Sequence, residues 1–245
     1  MKNLILGIDV GGSGIKAAKV NIKTGKLVSD RFRLPTPEKA KPEDVADTIL
    51  EILKHFKWQS SVGCGFPAAI NQGTALTAAN IHKSWIGLNL EKYFHKKTGC
   101  KFRIINDADA AGLAEIKFGA GKKKCGTVLM LTVGTGVGSA LFSGGVLFPN
   151  TELGHIELFG REAESNVSDA VRKKKELSFK KWAERFDAYL IKMNSLLYPD
   201  LIILGGGVVK KKEKFFDYLS LKSKIVPASL GNDAGIIGAA IFANN

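Results

Sequence analysis

A glycine-rich segment between two apolar runs limits the possible folds more than any other part of the chain. Asp9-Val10-Gly11-Gly12-Ser13-Gly14-Ile15-Lys16 follows the run Leu4 to Ile8 and leads into Ala17-Ala18-Lys19-Val20. Glycines let backbone N–H groups face an anion, and a carboxylate at a strand end suits a divalent cation. Since the residues after the glycines favour a second strand over a helix, the pattern predicts a glycine-turned hairpin that holds phosphate. The alternative is a plain hairpin with a tolerant turn.

The same construction recurs further along the chain. The run Val128 to Thr132 enters Val133-Gly134-Thr135-Gly136-Val137-Gly138-Ser139, and the run Leu201 to Leu204 ends in Gly205-Gly206-Gly207. Neither G-x-G-x-x-G nor G-x-x-x-x-G-K-[ST] occurs, so a Rossmann turn or a P-loop is not expected. Two similar hairpins at an offset of about 120 residues predict an internal repeat with a cleft between two lobes.

The composition excludes several classes of protein. The chain of 245 residues is 45% hydrophobic, which argues against disorder. Its apolar runs are all far shorter than a membrane span, so we expect a cytoplasmic protein with no membrane partner. Cys64, Cys100 and Cys125 are too few and too scattered for a disulfide framework or a cysteine zinc cluster.

The charge balance predicts an anionic partner. Lysine and arginine number 36 against 23 acidic residues, which gives a formal net charge of +13. Much of the excess lies in three clusters, Lys122 to Lys124, Arg172 to Lys175, and Lys210 to Lys212 with Lys214. Such clusters attract long polyanions by counterion release, although a solvated charged face is the ordinary interpretation of any one of them.

Periodicity predicts the elements that carry these motifs. We expect strands at 61–66 and 102–105, and helices at 43–56, from 107 to 119, at 178–197 and at 231–243. The helix at 178–197 carries an apolar stripe that is expected to be core, namely Trp182, Phe186, Tyr189, Met193 and Leu196. The last helix is rich in small residues and should pack closely.

Two further segments offer catalytic chemistry. Asn106-Asp107 ends a predicted strand and opens a predicted helix, so Asp107 is a candidate general base for a sugar hydroxyl that attacks a phosphoryl group. Glu152-Leu153-Gly154-His155-Ile156-Glu157 offers two carboxylates and an imidazole within six residues, a set suited to polyol hydroxyls, and Glu164 could reach the same pocket. The structural alternatives are a helix cap at Asp107 and a structural histidine with surface glutamates.

Taken together, these motifs resemble those of the ROK family (repressor, open reading frame, kinase), and most closely its polyphosphate glucokinases. The resemblance spans nearly the whole chain. It rests on the glycine hairpins, on Asn80 with Trp85, on Asn106 to Ala111, on Glu152 to His155 and on Gly205 to Gly207. It implies an α/β fold of the actin-like (ribonuclease-H-like) ATPase type, with two lobes and a central cleft. We expect a smaller lobe at 1–108, on which the C-terminal helix may pack back, and a larger lobe at 109–245.

The resemblance also implies roles for individual residues. Asp107 is expected to be the catalytic base, and Asp9 to bind Mg²⁺ directly or through water. The residues expected on the sugar are Asn80, Asn106, Asp107, Glu152, His155 and Glu164. The residues expected on the donor phosphates are Asp9, Gly11, Gly12, Ser13, Gly14, Lys16, Thr135, Gly136, Gly205, Gly206 and Gly207. A homodimer is expected as well.

The chain departs from the family pattern at one point. Many ATP-using relatives carry a C-x-C-G-x-x-G-C zinc cluster after the histidine, whereas residues 154–168 contain no cysteine, so no structural zinc is expected. The departure resembles the polyphosphate glucokinase branch. It also removes the motif that would fix the alignment of Glu164.

The expected activity is phosphoryl transfer from polyphosphate, and also from ATP, to the 6-hydroxyl of glucose. One alternative is an ATP-dependent ROK kinase of another hexose or an N-acetyl sugar, since glycine loops hold phosphates with or without a nucleoside. The other is a basic nucleic-acid-binding protein on an inactive kinase scaffold, which would have no need of Asp9, Asp107 and Glu152 together.

Overall fold

The chain folds into two compact units. The computed structural model describes residues 3–78 and 81–244. The first unit contains the described residues up to Ala114 and those from Asp233 onward, and the second unit is Glu115–Asn232. The sequence put the boundary between residues 108 and 109. In the structure, the units divide within a helix, after Ala114, and the extent of the two lobes stays a prediction.

The first unit is built on one mixed sheet. Its strands are β1 (Leu4–Gly11), β2 (Gly14–Asn21), β3 (Lys26–Leu27), β4 (Phe32–Leu34), β5 (Val62–Phe66), β6 (Ile70–Asn71), β7 (Thr74–Ala75) and β8 (Phe102–Asn106). Its helices are α1 (Pro42–Phe56), α2 (Leu90–Thr98) and the start of α3 (Asp107–Phe118). The strands of the main sheet follow the order β3-β2-β1-β5-β8, with β4 also paired to β2. β1 runs antiparallel to β2 and parallel to β5, and β5 runs parallel to β8.

The second unit repeats this plan. Its strands are β9 (Thr127–Val133), β10 (Val137–Ser143), β11 (Val146–Phe148), β12 (Glu157–Leu158), β13 (Arg161–Glu162), β14 (Leu201–Gly205) and β15 (Ile225–Pro227). Its helices are α4 (Glu164–Val167), α5 (Asp169–Lys174) and α6 (Phe179–Leu197). The sheet order β11-β10-β9-β14-β15 matches that of the first unit strand for strand. The predicted repeat is therefore confirmed, and both glycine segments join antiparallel neighbours.

The last helix, α7 (Ala234–Phe242), packs on the sheet of the first unit. Close contact is possible because glycines lie at the crossing points. A Cβ atom added at Gly63 would lie 1.9 Å from the carbonyl oxygen of Ala239, and one added at Gly238 would lie 1.6 Å from that of Ala110. The prediction of close packing is confirmed. Helix α7 begins at Ala234 rather than at the predicted Gly231, because Gly231 has a left-handed φ of 54° and 231–233 form a 3₁₀ turn.

Each unit has its own apolar core. In the second unit most of the predicted stripe of α6 is buried, namely Trp182, Phe186, Tyr189 and Met193. The prediction was wrong for Leu196, which lies near the end of the helix and is 55% exposed. Trp182 also donates from Nε1 to the carbonyl oxygen of Val167 at 2.9 Å. Among the helices that the structure describes, none combines the length and apolar character needed to cross a membrane.

Candidate active site

The carboxyl ends of β1 and β8, two strands separated by β5, carry the candidate metal ligand Asp9 and the candidate base Asp107. In the register of the sheet, Asp9 on β1 pairs with Gly65 on β5, and Phe66 pairs with Asn106 on β8. Neighbouring strands lie about 4.8 Å apart, so the backbones of Asp9 and Asn106 are separated by roughly 10 Å. Asp107 follows Asn106 directly, and its Cα would lie 3.7 Å from a Cβ added at Gly65. The sheet thus brings the predicted metal ligand and the predicted base to one edge.

Asp9 is held from two sides. Its Oδ2 accepts a hydrogen bond from Lys16 Nζ at 3.3 Å, and its side chain is 16% exposed. Its Cγ would lie only 3.0 Å from a Cβ added at Gly235, in the first turn of α7. Burial raises the pKa of Asp9, and the charge and hydrogen bond of Lys16 act in the opposite direction. Gly235 lies more than 200 residues away from Asp9 in the sequence, so the spacing of the motifs does not predict this contact.

The first glycine turn is exposed at its tip. Gly11 pairs with Gly14 across the hairpin, so Gly12 and Ser13 form the turn, and both are exposed. Arg33 Nη2 donates to the carbonyl oxygen of Ser13 at 2.6 Å, and Thr36 Oγ1 donates to that of Gly11. Arg33 therefore adds a positive charge to the predicted phosphate turn. The glycine motif does not include Arg33, which lies on β4, a strand that pairs with β2.

Asn106 caps helix α3. Its Oδ1 accepts hydrogen bonds from the backbone N–H groups of Ala108 at 2.8 Å and Asp109 at 3.0 Å, and its Nδ2 donates to the carbonyl oxygen of Ala68 at 3.1 Å. A side-chain oxygen of this kind satisfies helix N–H groups that lack a partner within the helix. Asp107 is half-buried, and its Oδ1 accepts from the N–H of Ala108 at 2.8 Å. Asn106, rather than Asp107, supplies the main cap of this helix.

A group of acidic residues surrounds His155 in the second unit. Its Nδ1 lies 3.3 Å from Glu162 Oε1, and its Nε2 lies 3.8 Å from Glu152 Oε2. Glu164 Oε2 accepts a hydrogen bond from the N–H of Val137 at 3.1 Å, directly after the second glycine turn. Burial raises the pKa of Glu152, the charge of His155 lowers it and the charge of Glu164 raises it. The structure thus places three predicted sugar residues together and adds Glu162, which the sequence did not suggest.

Buried polar groups fix the backbone around these residues. Ser139 Oγ donates to the carbonyl oxygen of Thr151 and accepts from the N–H of Leu153 at 3.0 Å. Tyr189 OH donates to the carbonyl oxygen of Leu153 at 3.3 Å, and burial raises the pKa of this phenol, as does the charge of Glu164. Sequence analysis assigned Tyr189 only to the core stripe of α6. Its hydroxyl also supports the turn between Glu152 and His155.

The remaining predicted phosphate residues meet at the carboxyl ends of β9 and β14. A Cβ added at Gly206 would lie 2.3 Å from the carbonyl oxygen of Val133, the last residue of β9. Gly134 accepts a hydrogen bond at its carbonyl oxygen from the N–H of Ala170 at 3.1 Å. Thr135, Gly206 and Gly207 are exposed. The second glycine turn and the glycines after β14 are therefore neighbours.

Asn80, which was predicted to bind the sugar, lies outside the described residues. The ligand atoms of His155, Glu162 and Glu164 lie within 4.8 Å of one another. Glu162 joins this group through the fold and was not among the residues that the sequence motifs predicted. The expectation of no structural zinc rests on the missing cysteines and stays a prediction.

Comparison with known proteins identifies the family. The model of the ROK family matches residues 5–167. This chain belongs to the ROK family. The polyphosphate glucokinase of Mycobacterium tuberculosis (strain CDC 1551 / Oshkosh) is 46% identical over 236 residues, which cover 96% of this chain and 89% of that protein. The family predicted from the sequence is confirmed.

Two solved ROK structures confirm the fold class, an α/β fold of the actin-like ATPase type. The inorganic polyphosphate/ATP-glucomannokinase from Arthrobacter sp. strain KM matches with a TM-score of 0.94 and 42% identity, over 97% of both chains. A ROK family glucokinase from Streptomyces griseus, solved with glucose and AMPPNP, matches with a TM-score of 0.81 and 25% identity, over 98% of this chain and 99% of that one.

Proposed function

We propose that this ROK protein is a glucokinase that transfers the terminal phosphoryl group of inorganic polyphosphate to the 6-hydroxyl of glucose. The observation that carries the proposal is the 46% identity to a polyphosphate glucokinase over 96% of the chain. The name of the Arthrobacter protein includes both polyphosphate and ATP, and we therefore propose ATP as a second donor for this protein. We further propose that the protein acts in the cytoplasm as a homodimer.

Asp107 acts as the general base. It accepts the proton of the glucose 6-hydroxyl as that oxygen attacks the terminal phosphorus. The new bond joins O6 to phosphorus, and the bond from phosphorus to the bridging oxygen of the donor breaks, which yields glucose 6-phosphate and a shortened polyphosphate. Asn106 fixes the backbone that presents Asp107 through its three hydrogen bonds.

Asp9 is suited to bind a divalent cation. Phosphoryl transfer typically needs such a metal, which would neutralise the negative charge that develops on the donor oxygens. Mg²⁺ prefers carboxylate oxygens and retained waters, and the half-buried Asp9 lies at the strand edge that also carries Asp107. Within the first unit, Lys16, Arg33 and the glycine turn are suited to bind phosphate. Within the second unit, the turn at 134–136 and Gly205 to Gly207 offer backbone N–H groups to an anion.

The direct test measures glucose 6-phosphate formation with polyphosphate, ATP and GTP in parallel. We expect turnover with polyphosphate and Mg²⁺, and loss of turnover when the metal is chelated. N-acetylglucosamine and mannose serve as alternative acceptors. Turnover only with ATP, or only on another sugar, would replace this function by that of an ATP-dependent kinase. The absence of turnover together with tight, salt-sensitive nucleic-acid binding would favour the inactive-scaffold alternative.

Substitutions at Glu152 and His155 test how the sugar is held. Glu152→Gln or His155→Ala should raise the glucose KM roughly tenfold or more, because these side chains hold hydroxyls in the ground and transition states alike. Since burial raises the pKa of Glu152, its ionised form is lost at a higher pH than that of an ordinary glutamate. The glucose KM of the wild type should therefore rise early as the pH falls. Steady-state kinetics across a pH series measure both effects.

Glu157 and Glu162 supply the comparisons for this test. Glu157→Gln changes an exposed glutamate of the same segment and should leave the glucose KM unchanged. Glu162→Gln should raise it less than Glu152→Gln does, since Glu162 acts through the orientation of His155 rather than on the sugar. An unchanged KM in both the Glu152 and the His155 variants would return these residues to a structural role.

A further inference from the structure

Two of the three basic clusters come together around a single aromatic ring. Phe179 is the first residue of α6. The guanidinium carbon of Arg172 lies 4.2 Å from the centre of its ring, and the Nζ atoms of Lys211 and Lys214 lie 6.0 Å and 5.7 Å from it. These distances place cations from two segments, about 40 residues apart in the chain, on one surface. We call the residues Arg172, Lys173, Lys174, Lys211 and Lys214 the Phe179 surface.

Both segments of this surface start at the glycines that we assign to the donor phosphates. The chain enters α5 beside the second glycine turn, where Ala170 donates to the carbonyl oxygen of Gly134 at 3.1 Å. The other segment is a 3₁₀ stretch, Gly207–Lys214, which begins at the last glycine after β14. A 3₁₀ stretch rises about 2 Å per residue, so Lys211 is roughly 8 Å along the chain from Gly207. The surface therefore continues from the predicted phosphate site.

The charges of the surface are not balanced locally. The segments 169–176 and 210–214 contain eight basic and three acidic residues. Asp169 binds Arg172 at 2.8 Å and Lys173 at 2.8 Å. Burial alone would raise the pKa of Asp169, but the hydrogen bonds and charges of Lys173 and Arg172 hold it below its usual value. Arg172 is therefore anchored in the fold with its side chain only 13% exposed, whereas Lys174, Lys211 and Lys214 are exposed.

We propose that the inorganic polyphosphate chain runs over the Phe179 surface, with its reacting end at the glycines. The inference rests on the proposed function and names the part of the protein that holds the donor beyond its reacting end. A long inorganic chain carries negative charge on every phosphate, so each exposed lysine along its path gains a contact and releases counterions. ATP ends in a nucleoside after three phosphates and gains much less from such a path.

The first basic cluster provides a matched control within the same unit. Lys122 to Lys124 precede Thr127, the first residue of β9, whereas the glycines follow Val133 at its other end. The strand between them spans roughly 20 Å. Lys122, Lys123 and Lys124 are exposed, like the lysines of the Phe179 surface. Their position predicts no role in holding the donor.

The experiment compares K174Q/K211Q/K214Q with K122Q/K123Q/K124Q. Both variants lose three positive charges from exposed positions. In the first, the KM for long-chain polyphosphate should rise roughly tenfold or more, while the KM values for tripolyphosphate and for glucose change less than about twofold. The dependence of the long-chain KM on salt should become shallower, because fewer counterions are released. The second variant should match the wild type, and equal melting temperatures show that both are folded.

The outcomes separate this inference from the proposed function. A wild-type protein that uses ATP but not polyphosphate overturns the proposed function and the inference with it. A wild-type protein that uses polyphosphate, with equal losses in both variants or equal losses for short and long chains, overturns the inference alone. A single-stranded oligonucleotide that binds the wild type as tightly as long polyphosphate, and loses this affinity only in K174Q/K211Q/K214Q, would assign the surface to nucleic acid instead.

Discussion

Asp107→Asn should lower kcat by roughly 100-fold or more while the glucose KM stays within about twofold of the wild type. An amide has nearly the same shape as a carboxylate but does not accept the proton of the 6-hydroxyl. The fold should tolerate the change, because Asn106 supplies the main cap of α3 and the amide oxygen of an asparagine at 107 can still accept from the N–H of Ala108. Steady-state kinetics with saturating polyphosphate measure the effect.

Two comparisons separate catalysis from folding. Asp47→Asn removes an exposed carboxylate from α1 in the same unit and should leave kcat unchanged. Asn106→Ala removes the helix cap, at a cost of about 1 kcal/mol, so its melting temperature should fall. Asp107→Asn should instead melt like the wild type. A near-normal kcat in this variant would show that Asp107 is not the base.

The sequence predicted the parts of the fold that depend on local pattern. Alternation of apolar runs and glycines located both hairpins, and helical spacing located α1 and α6, because these signals arise from neighbouring residues. The glycine clusters at 134–136 and 205–207 follow β9 and β14, which are neighbouring strands of one sheet, so these two clusters lie near each other in the structure.

The rest of the candidate site depends on contacts between distant residues. Gly235 meets Asp9, and Tyr189 supports Leu153. Neither pair is visible as a spacing, since each joins a helix residue to a segment that is distant in the sequence. The same holds for the lysine clusters. The three clusters look alike in the sequence, which therefore does not favour one of them, whereas in the structure cations of two clusters lie against Phe179.

Glu162 was not predicted from the sequence for a different reason. It stands in a two-residue strand, β13, between motifs that were each considered separately. Glu162 belongs to the candidate site because its Oε1 lies 3.3 Å from His155 Nδ1. This contact depends on the antiparallel pairing of β12 with β13. Because the Glu162 carboxylate lies against the His155 imidazole, it can fix the orientation of that ring.

Asp9→Asn should lower kcat/KM for the donor by roughly 1,000-fold or more, since a bound cation supplies several kcal/mol of charge stabilisation in phosphoryl transfer. The asparagine keeps the volume that Gly235 leaves for Asp9 but loses the charge that binds the cation. Asp30→Asn, which removes an exposed carboxylate from the same unit, should have no effect. Kinetics at several Mg²⁺ concentrations measure the change.

The Mg²⁺ dependence decides whether Asp9 acts through the metal. In the wild type, protons compete with the cation for a carboxylate whose pKa burial has raised, so the apparent Mg²⁺ affinity should fall as the pH drops through this pKa. Asp9→Asn should show a much weaker Mg²⁺ affinity with no such pH dependence. A Lys16 variant distinguishes metal binding by Asp9 from a purely structural role, because Lys16 Nζ lies 3.3 Å from the Asp9 carboxylate. Lys16→Met should weaken donor binding but retain the Mg²⁺ requirement of the wild type. If Asp9→Asn also retained that requirement unchanged, Asp9 would serve only to hold Lys16 in place, and the cation would have to bind elsewhere.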